Sequence, residues 1–227
     1  MKPLVGLLRS AALTARRVNV ALTFRRRFGF DPPPHWSDLS GYESLLRVIV
    51  RERLYELDGD FVEIGAFLGG GTYKLCKLLE LRAPQKRLYS IDVFAADLDR
   101  TSCTQGDTMA EIYARVLQGR DQLAVYKDVT RGCANLTTIV GDSAKVDLPC
   151  RTVAFAYVDG NHDPAYVRGD FDLVWPRVVS RGVVAFDDYG FDLPGVTAAI
   201  DDRIALHRAA IARTWTAGWK TIFLQKR

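Results

Sequence analysis

Four side chains in two short runs have the types and spacing to do chemistry: Asp159, His162, Asp187 and Asp188. Tyr157-Val158-Asp159-Gly160-Asn161-His162-Asp163 and Val184-Ala185-Phe186-Asp187-Asp188-Tyr189 share one grammar. In each, an apolar run that reads as a buried strand (Val153 to Val158, Val183 to Phe186) ends abruptly in carboxylates. In an open parallel sheet, ligands bind outside the carboxyl ends of the strands. Two such strands aim three carboxylates at one crevice, with His162 one turn away. Like charges crowded this way raise one another's pKa unless a cation sits between them. The pattern therefore points to a metal site, Asp159, Asp187 and Asp188, with a proton acceptor, His162, beside it. The competing explanation is helix capping by strand-end Asp, which accounts for neither the doublet nor the histidine.

The elements that must position these residues alternate strand and helix, as a parallel doubly wound sheet demands. Strands are expected over Phe61 to Ile64, Arg87 to Ile91, Leu136 to Val140, Val153 to Val158 and Val183 to Phe186. Ser180-Arg181-Gly182 reads as the turn into the fifth. Helices are expected from Tyr73 to Leu81, near Met109 to Leu117, around Val167 to Trp175, and after Gly195 to about Ala210. Ahead of them, Ser40-Gly41-Tyr42-Glu43 is a capping box opening a helix with Leu45, Leu46, Ile49, Val50, Leu54 and Leu57 on one face, stopped by Asp58-Gly59-Asp60. Two short strands, Ile211 to Thr216 and Trp219 to Gln225, close the chain as an antiparallel hairpin at Ala217-Gly218. The result is an α/β, Rossmann-like sheet of seven strands, mostly parallel with the last antiparallel, and helices on both faces. Residues 93–135 read as polar and irregular around a single helix; a stretch that long suggests function, and a lid is one hypothesis.

Charge divides the chain. Residues 1–30 hold seven basic residues and no acid, leaving 24 bases against 27 acids in the rest. Residues 1–34 read as a basic amphipathic arm, with Leu4, Leu7, Leu8, Ala11, Ala12, Ala15 and Val18 at helical spacing, ended by Asp31-Pro32-Pro33-Pro34. Residues 35–227 form one catalytic-sized domain. The arm is too short and too charged to span a bilayer; packing on its own domain or on a sister subunit, peripheral contact with an anionic membrane, binding of an acidic partner and a transit peptide are the alternatives. The four cysteines lie far apart without zinc spacing, which suits a reducing, cytoplasmic setting. The acidic balance of the core disfavours nucleic acid as a partner.

The turns carry further chemistry. Gly65-Ala66-Phe67-Leu68-Gly69-Gly70-Gly71-Thr72 is a glycine-rich turn that lets backbone approach a ligand, without a phosphate-binding GKS/T sequence. Asp92, at the end of the second strand, can accept both hydroxyls of a ribose. Asp142-Ser143, ending the third, are placed either to meet an adenine edge or to cap a helix.

Val62-Glu63-Ile64-Gly65, Ser90-Ile91-Asp92, Gly141-Asp142-Ser143, Val158-Asp159-Gly160-Asn161-His162 and Phe186-Asp187-Asp188-Tyr189 together resemble a class I S-adenosylmethionine-dependent methyltransferase. Within that class the chain is similar to the magnesium-dependent sugar O-methyltransferases of the macrocin and mycinamicin type, over about residues 42–227. Phe67 stands where the wider class usually has glycine, and Asp187 where some members have Glu. The resemblance implies that Glu63, Gly65, Ala66 and Gly69 line the methionine end of the cofactor, Asp92 the ribose, and Asp142 with Ser143 the adenine end. It implies Mg²⁺ on Asp159, Asp187 and Asp188, with Asp159 also bordering the cofactor and the reaction, and His162 as the base. The expected reaction is methylation of a hydroxyl on a saccharide or glycosylated metabolite, by an enzyme that self-associates, a dimer being favoured. A catechol-type O-methyltransferase and a non-catalytic cofactor-binding module are the competing readings.

Overall fold

A computed structural model of the chain describes residues 21–38 and 42–227. The amphipathic stretch at residues 4–18 and the capping serine, Ser40, lie outside the described residues.

Seven strands form one sheet in the order β3-β2-β1-β4-β5-β7-β6. They are β1 (Asp60–Ile64), β2 (Leu88–Asp92), β3 (Leu136–Val140), β4 (Val153–Val158), β5 (Val178–Phe186), β6 (Ile211–Ala217) and β7 (Thr221–Lys226). β1 to β5 pair in parallel, while β7 pairs antiparallel with both β5 and β6. Chain order reverses across the β1/β4 junction, the switch point at which open sheets hold ligands. All six residues of β4 are buried, because helices cover both of its faces. On one face Val62, Ala156, Val158, Phe171 and Val184 pack together; on the other Phe61, Phe155, Leu75, Leu79 and Phe223 do. Each large apolar side chain among them contributes about 1.5–3 kcal/mol by burial.

The helices are α1 (described over residues 21–28), α2 (Glu43–Arg51), α3 (Gly70–Arg82), α4 (Met109–Leu117), α5 (Gln122–Thr130), α6 (Pro164–Val174) and α7 (Pro194–Leu206). Phe24 and Phe28 of α1 are buried in the same cluster as α2 and α3, so the end of the basic arm packs on the domain. α2 begins at Glu43 behind Tyr42, whose φ is 50°, and stops at Arg51; Leu54 is reached by a short 3₁₀ turn instead.

Two expectations are corrected. Ser180-Arg181-Gly182 is not a turn but part of β5, accommodated by a register shift against β4 and by Arg181 at φ 65°; an irregularity of this kind bends a strand without ending it. Residues 93–135 contain a second helix, α5. Its buried positions are Gln122, Tyr126, Val129 and Thr130, so the helical period is there but half of it is polar, which hides it from hydrophobic patterning.

Candidate active site

The site begins with a turn that only glycine permits. Gly65 leaves β1 at φ 89°, and a Cβ there would overlap the carbonyl of Asp159 at the end of β4. The turn is latched from β2. Asp92 Oδ2 accepts the N–H groups of Ala66 and Phe67, both at 2.8 Å, and Oδ1 accepts that of Phe94 at 2.6 Å. Burial raises the Asp92 pKa even though these backbone bonds favour its charged form. Phe67 itself sits at φ 46°, a left-handed conformation that costs a bulky residue on the order of 1–3 kcal/mol. Tyr42 and Asp188, which line the site, and Phe94, whose N–H Asp92 accepts, share this strain at φ 50°, 56° and 52°. Such outliers persist where the surroundings over-determine them.

Beyond the turn lies a cavity of about 130 Å³ lined by Gly65, Phe67, Asp92, Asp142, Ser143, Asp159 and Tyr166, among others. Asp142 and Ser143 thus face the same space as Asp92. Tyr166 donates to Asp142 Oδ2 at 3.3 Å, and Lys145 pairs with the same carboxylate at 2.9 Å. Glu63 and Gly69 lie elsewhere. Glu63 is fully buried below the turn, where its Oε2 accepts from Thr72 at 2.5 Å and Ser90 at 2.6 Å and its Oε1 has no partner. Burial pushes its pKa up to about 8 against those two bonds. Gly69 starts α3 at φ 84°, close to Tyr126 and Thr130.

A second cavity, about 80 Å³, shares Gly65, Phe67, Tyr113 and Asp159 with the first. Tyr42, Met109 and Ala66 help wall it, and Asp38, His162, Asp188 and Lys220 supply its charges. The two chambers meet at Asp159.

The charges interlock. His162 Nε2 lies 2.8 Å from Asp188 Oδ2 and 3.9 Å from Asp159 Oδ1, while Nδ1 lies 2.6 Å from Asp99 Oδ2. The His162 backbone N–H also donates to Asp99, at 3.1 Å. Burial pulls the imidazole pKa down, but Asp188 and Asp99 outweigh it and raise it to about 10. In this arrangement His162 is an imidazolium, whereas a base must be neutral. Lys220 reaches Asp187 Oδ2 at 2.5 Å and Asp188 Oδ1 at 2.6 Å, and Thr221 donates to Asp187 Oδ1 at 2.8 Å. Asp188 is buried yet held below the usual carboxylate range by His162 and Lys220. Asp159 is driven up, to about 7, by burial and by Asp187.

Ligand atoms of Asp159, His162 and Asp188 lie within 4.8 Å of one another, the grouping expected of a metal site. Asp187 stands behind this trio, joined to it through Lys220. None of these acids caps a helix: α6 is capped by Asp163, which accepts from Ala165 at 2.8 Å, and α7 has no side-chain cap. The two carboxylates, Asp159 and Asp188, suit a hard divalent cation in a surplus of negative charge, with two cations, Lys220 and the imidazolium of His162, already there. Asp99 and Lys220 were not legible as site residues: the first lies in the irregular stretch and the second in the closing hairpin.

No curated protein matches the sequence. The family described as a methyltransferase domain does, over residues 62–189, more than half of the chain. The chain belongs to that family. It is a methyltransferase. Among solved structures, the O-methyltransferase NovP shares 20% identity over 79% of each chain, with a TM-score of 0.61. A TDP-rhamnose 3′-O-methyltransferase of calicheamicin biosynthesis, CalS11, shares 17% identity over 83% of this chain and 81% of its own, at 0.54. NodS from Bradyrhizobium japonicum WM9, an N-methyltransferase in complex with S-adenosylhomocysteine, shares 15% identity over 92% and 98%, at 0.50. These likenesses show the fold of the methyltransferase. Its first cavity fits the methyl donor in two particulars. Gly65 leaves the backbone bare at the β1 end. Asp92 Oδ1, with one N–H accepted, keeps a lone pair for a ribose hydroxyl. No described helix is long and apolar enough to cross a membrane.

Proposed function

We propose that this methyltransferase acts on a hydroxyl of a saccharide or glycosylated metabolite, with Mg²⁺ at Asp159 and Asp188. The observation that carries the reading is the meeting of the two chambers at Asp159, with His162 on the acceptor side held by Asp99 from the donor side. S-adenosylmethionine, in the first chamber, supplies an electrophilic methyl group. A hard cation held by Asp159 and Asp188 supplies acidification of an acceptor hydroxyl and a grip on a neighbouring one.

The chain's own residues supply the rest. Asp99 holds Nδ1–H of His162, so Nε2 is the nitrogen that takes the acceptor proton, once Asp188 Oδ2 no longer engages it and the Nε2 proton of the resting imidazolium has passed to water. Phe67 and Tyr113, with ring centroids 4.9 Å apart, wall both chambers and limit the approach of donor and acceptor to one direction. Two of the structural neighbours, by their names, methylate oxygen, one of them on a sugar, which supports the acceptor class.

Calorimetric titration with S-adenosylmethionine, with Mg²⁺ and after EDTA, combined with methyl transfer to a panel of sugars and catechols, tests the proposal. Donor binding in both conditions, with transfer to a sugar only when Mg²⁺ is present, is the expected result. Transfer that survives EDTA overturns the metal assignment. Transfer to catechols alone overturns the acceptor class, which the aromatic walls Tyr42, Phe67 and Tyr113 would then explain.

A further inference from the structure

Lys220 has no part in the reaction derived above, yet its ammonium lies inside the acid cluster. Its side chain is 15% exposed and touches the two strand-end carboxylates at 2.5 and 2.6 Å. Topology puts it there. β7 runs against β5, so its first residues arrive at the edge where the parallel strands deliver their acids. Four carboxylates, Asp99, Asp159, Asp187 and Asp188, therefore face two cations, Lys220 and His162.

We propose that Lys220 is the resident counter-cation of the acceptor site, a positioning residue that holds Asp187 and Asp188 in place until a divalent cation displaces its ammonium. This rests on the metal reading of the same site. The surroundings allow the exchange without backbone movement. The Lys220 carbonyl is fixed by the Tyr189 N–H at 2.8 Å. Its Nζ already lies 5.6 Å from the centroid of Trp219, an indole that is 67% exposed and braced edge-on by Phe191 at 4.4 Å. A short swing outward exchanges two carboxylates for an aromatic face and water, a resting place that a cation accepts. Two cations that share Asp188 repel at close range, where the effective dielectric is low. Occupancy by the ammonium and by the metal is therefore competitive, and the site trades metal affinity for a preformed metal-free geometry.

The test is Mn²⁺ binding, followed by electron paramagnetic resonance, together with thermal melting of full-length wild type, Lys220→Met and Lys220→Arg. Lys220→Met should bind Mn²⁺ about tenfold more tightly or better, melt at a lower temperature without metal, and show a larger metal-induced rise. Lys220→Arg should stay near wild type, because it keeps the charge. Equal or weaker Mn²⁺ binding by a folded Lys220→Met overturns the counter-cation role while leaving the metal site standing. Binding by Lys220→Met alone supports the proposal in its strongest form. Binding by none of the three proteins overturns both this role and the metal reading.

Discussion

The donor and acceptor halves of this site share one sheet edge but are built in opposite ways. At the ends of β1 and β2 the structure is made of backbone: a bare glycine, and three N–H groups gathered by one carboxylate, Asp92. At the ends of β4 and β5 it is made of charged side chains that restrain one another, with His162 between Asp99 and Asp188 and Lys220 between Asp188 and Asp187. A backbone cradle has one stable geometry. A cluster of opposed charges can be re-sorted by any cation that enters it. On the proposed function, the difference suits a donor that is always the same molecule and an acceptor site in which a metal ion and a proton come and go.

Substitutions in each half test this contrast. The largest effect is expected from Gly65→Ala, where the added methyl meets the Asp159 backbone and the left-handed φ is lost to strain. Chemical denaturation should show a loss of about 3 kcal/mol or more, and both halves should fail together. Next comes His162→Gln, for which kcat should fall about 10²- to 10⁴-fold while S-adenosylmethionine affinity stays within a few-fold. Asp99→Asn should act in the same direction but less, and turnover close to wild type in both would move the base elsewhere. Asp188→Asn should abolish metal-induced stabilisation in a melting assay without weakening donor binding; a matched loss of donor binding would show that the halves are not separable.

Smaller effects are expected below the donor cradle. Glu63 has its folded-state pKa raised to about 8 from an ordinary value of 4.5. A carboxyl raised in this way favours the folded state at low pH, and that contribution is lost as pH climbs through 8. The cofactor-free protein should therefore lose stability between about pH 4.5 and pH 8, and Glu63→Gln should flatten that slope; an unchanged slope would assign it to other groups. Phe67→Gly should relieve the φ of 46° but remove the contact with Tyr113. The two nearly cancel, so stability should shift by no more than about 1 kcal/mol, with donor affinity weakened a few-fold in calorimetry. A large stabilisation would mean that the Phe67 ring contributes nothing to the wall.

What could be read from the sequence is what is local. An apolar run ending in acid marks a buried strand and its carboxyl end within a few residues, so β1 to β4, the second half of β5, Asp92, Asp142, Asp159 and Asp187-Asp188 were legible. So was α4, which the structure shows opened by a Thr108–Glu111 capping box. α5 was not, because burial of Gln122 and Thr130 breaks the apolar period that announces a helix. Nor was the role of Glu63 separable from that of its neighbours, since alternation along β1 does not say which side chains stop short of the cavity. Asp99 and His162 lie 63 residues apart, and Lys220 and Asp188 32 apart. No local pattern links such pairs. Which strands end in acid, and that those acids share an edge, follows from the order of residues alone. Which further charges meet them follows from packing, because an antiparallel β7 and the folding-back of the stretch after β2 bring Lys220 and Asp99 to that edge from far along the chain.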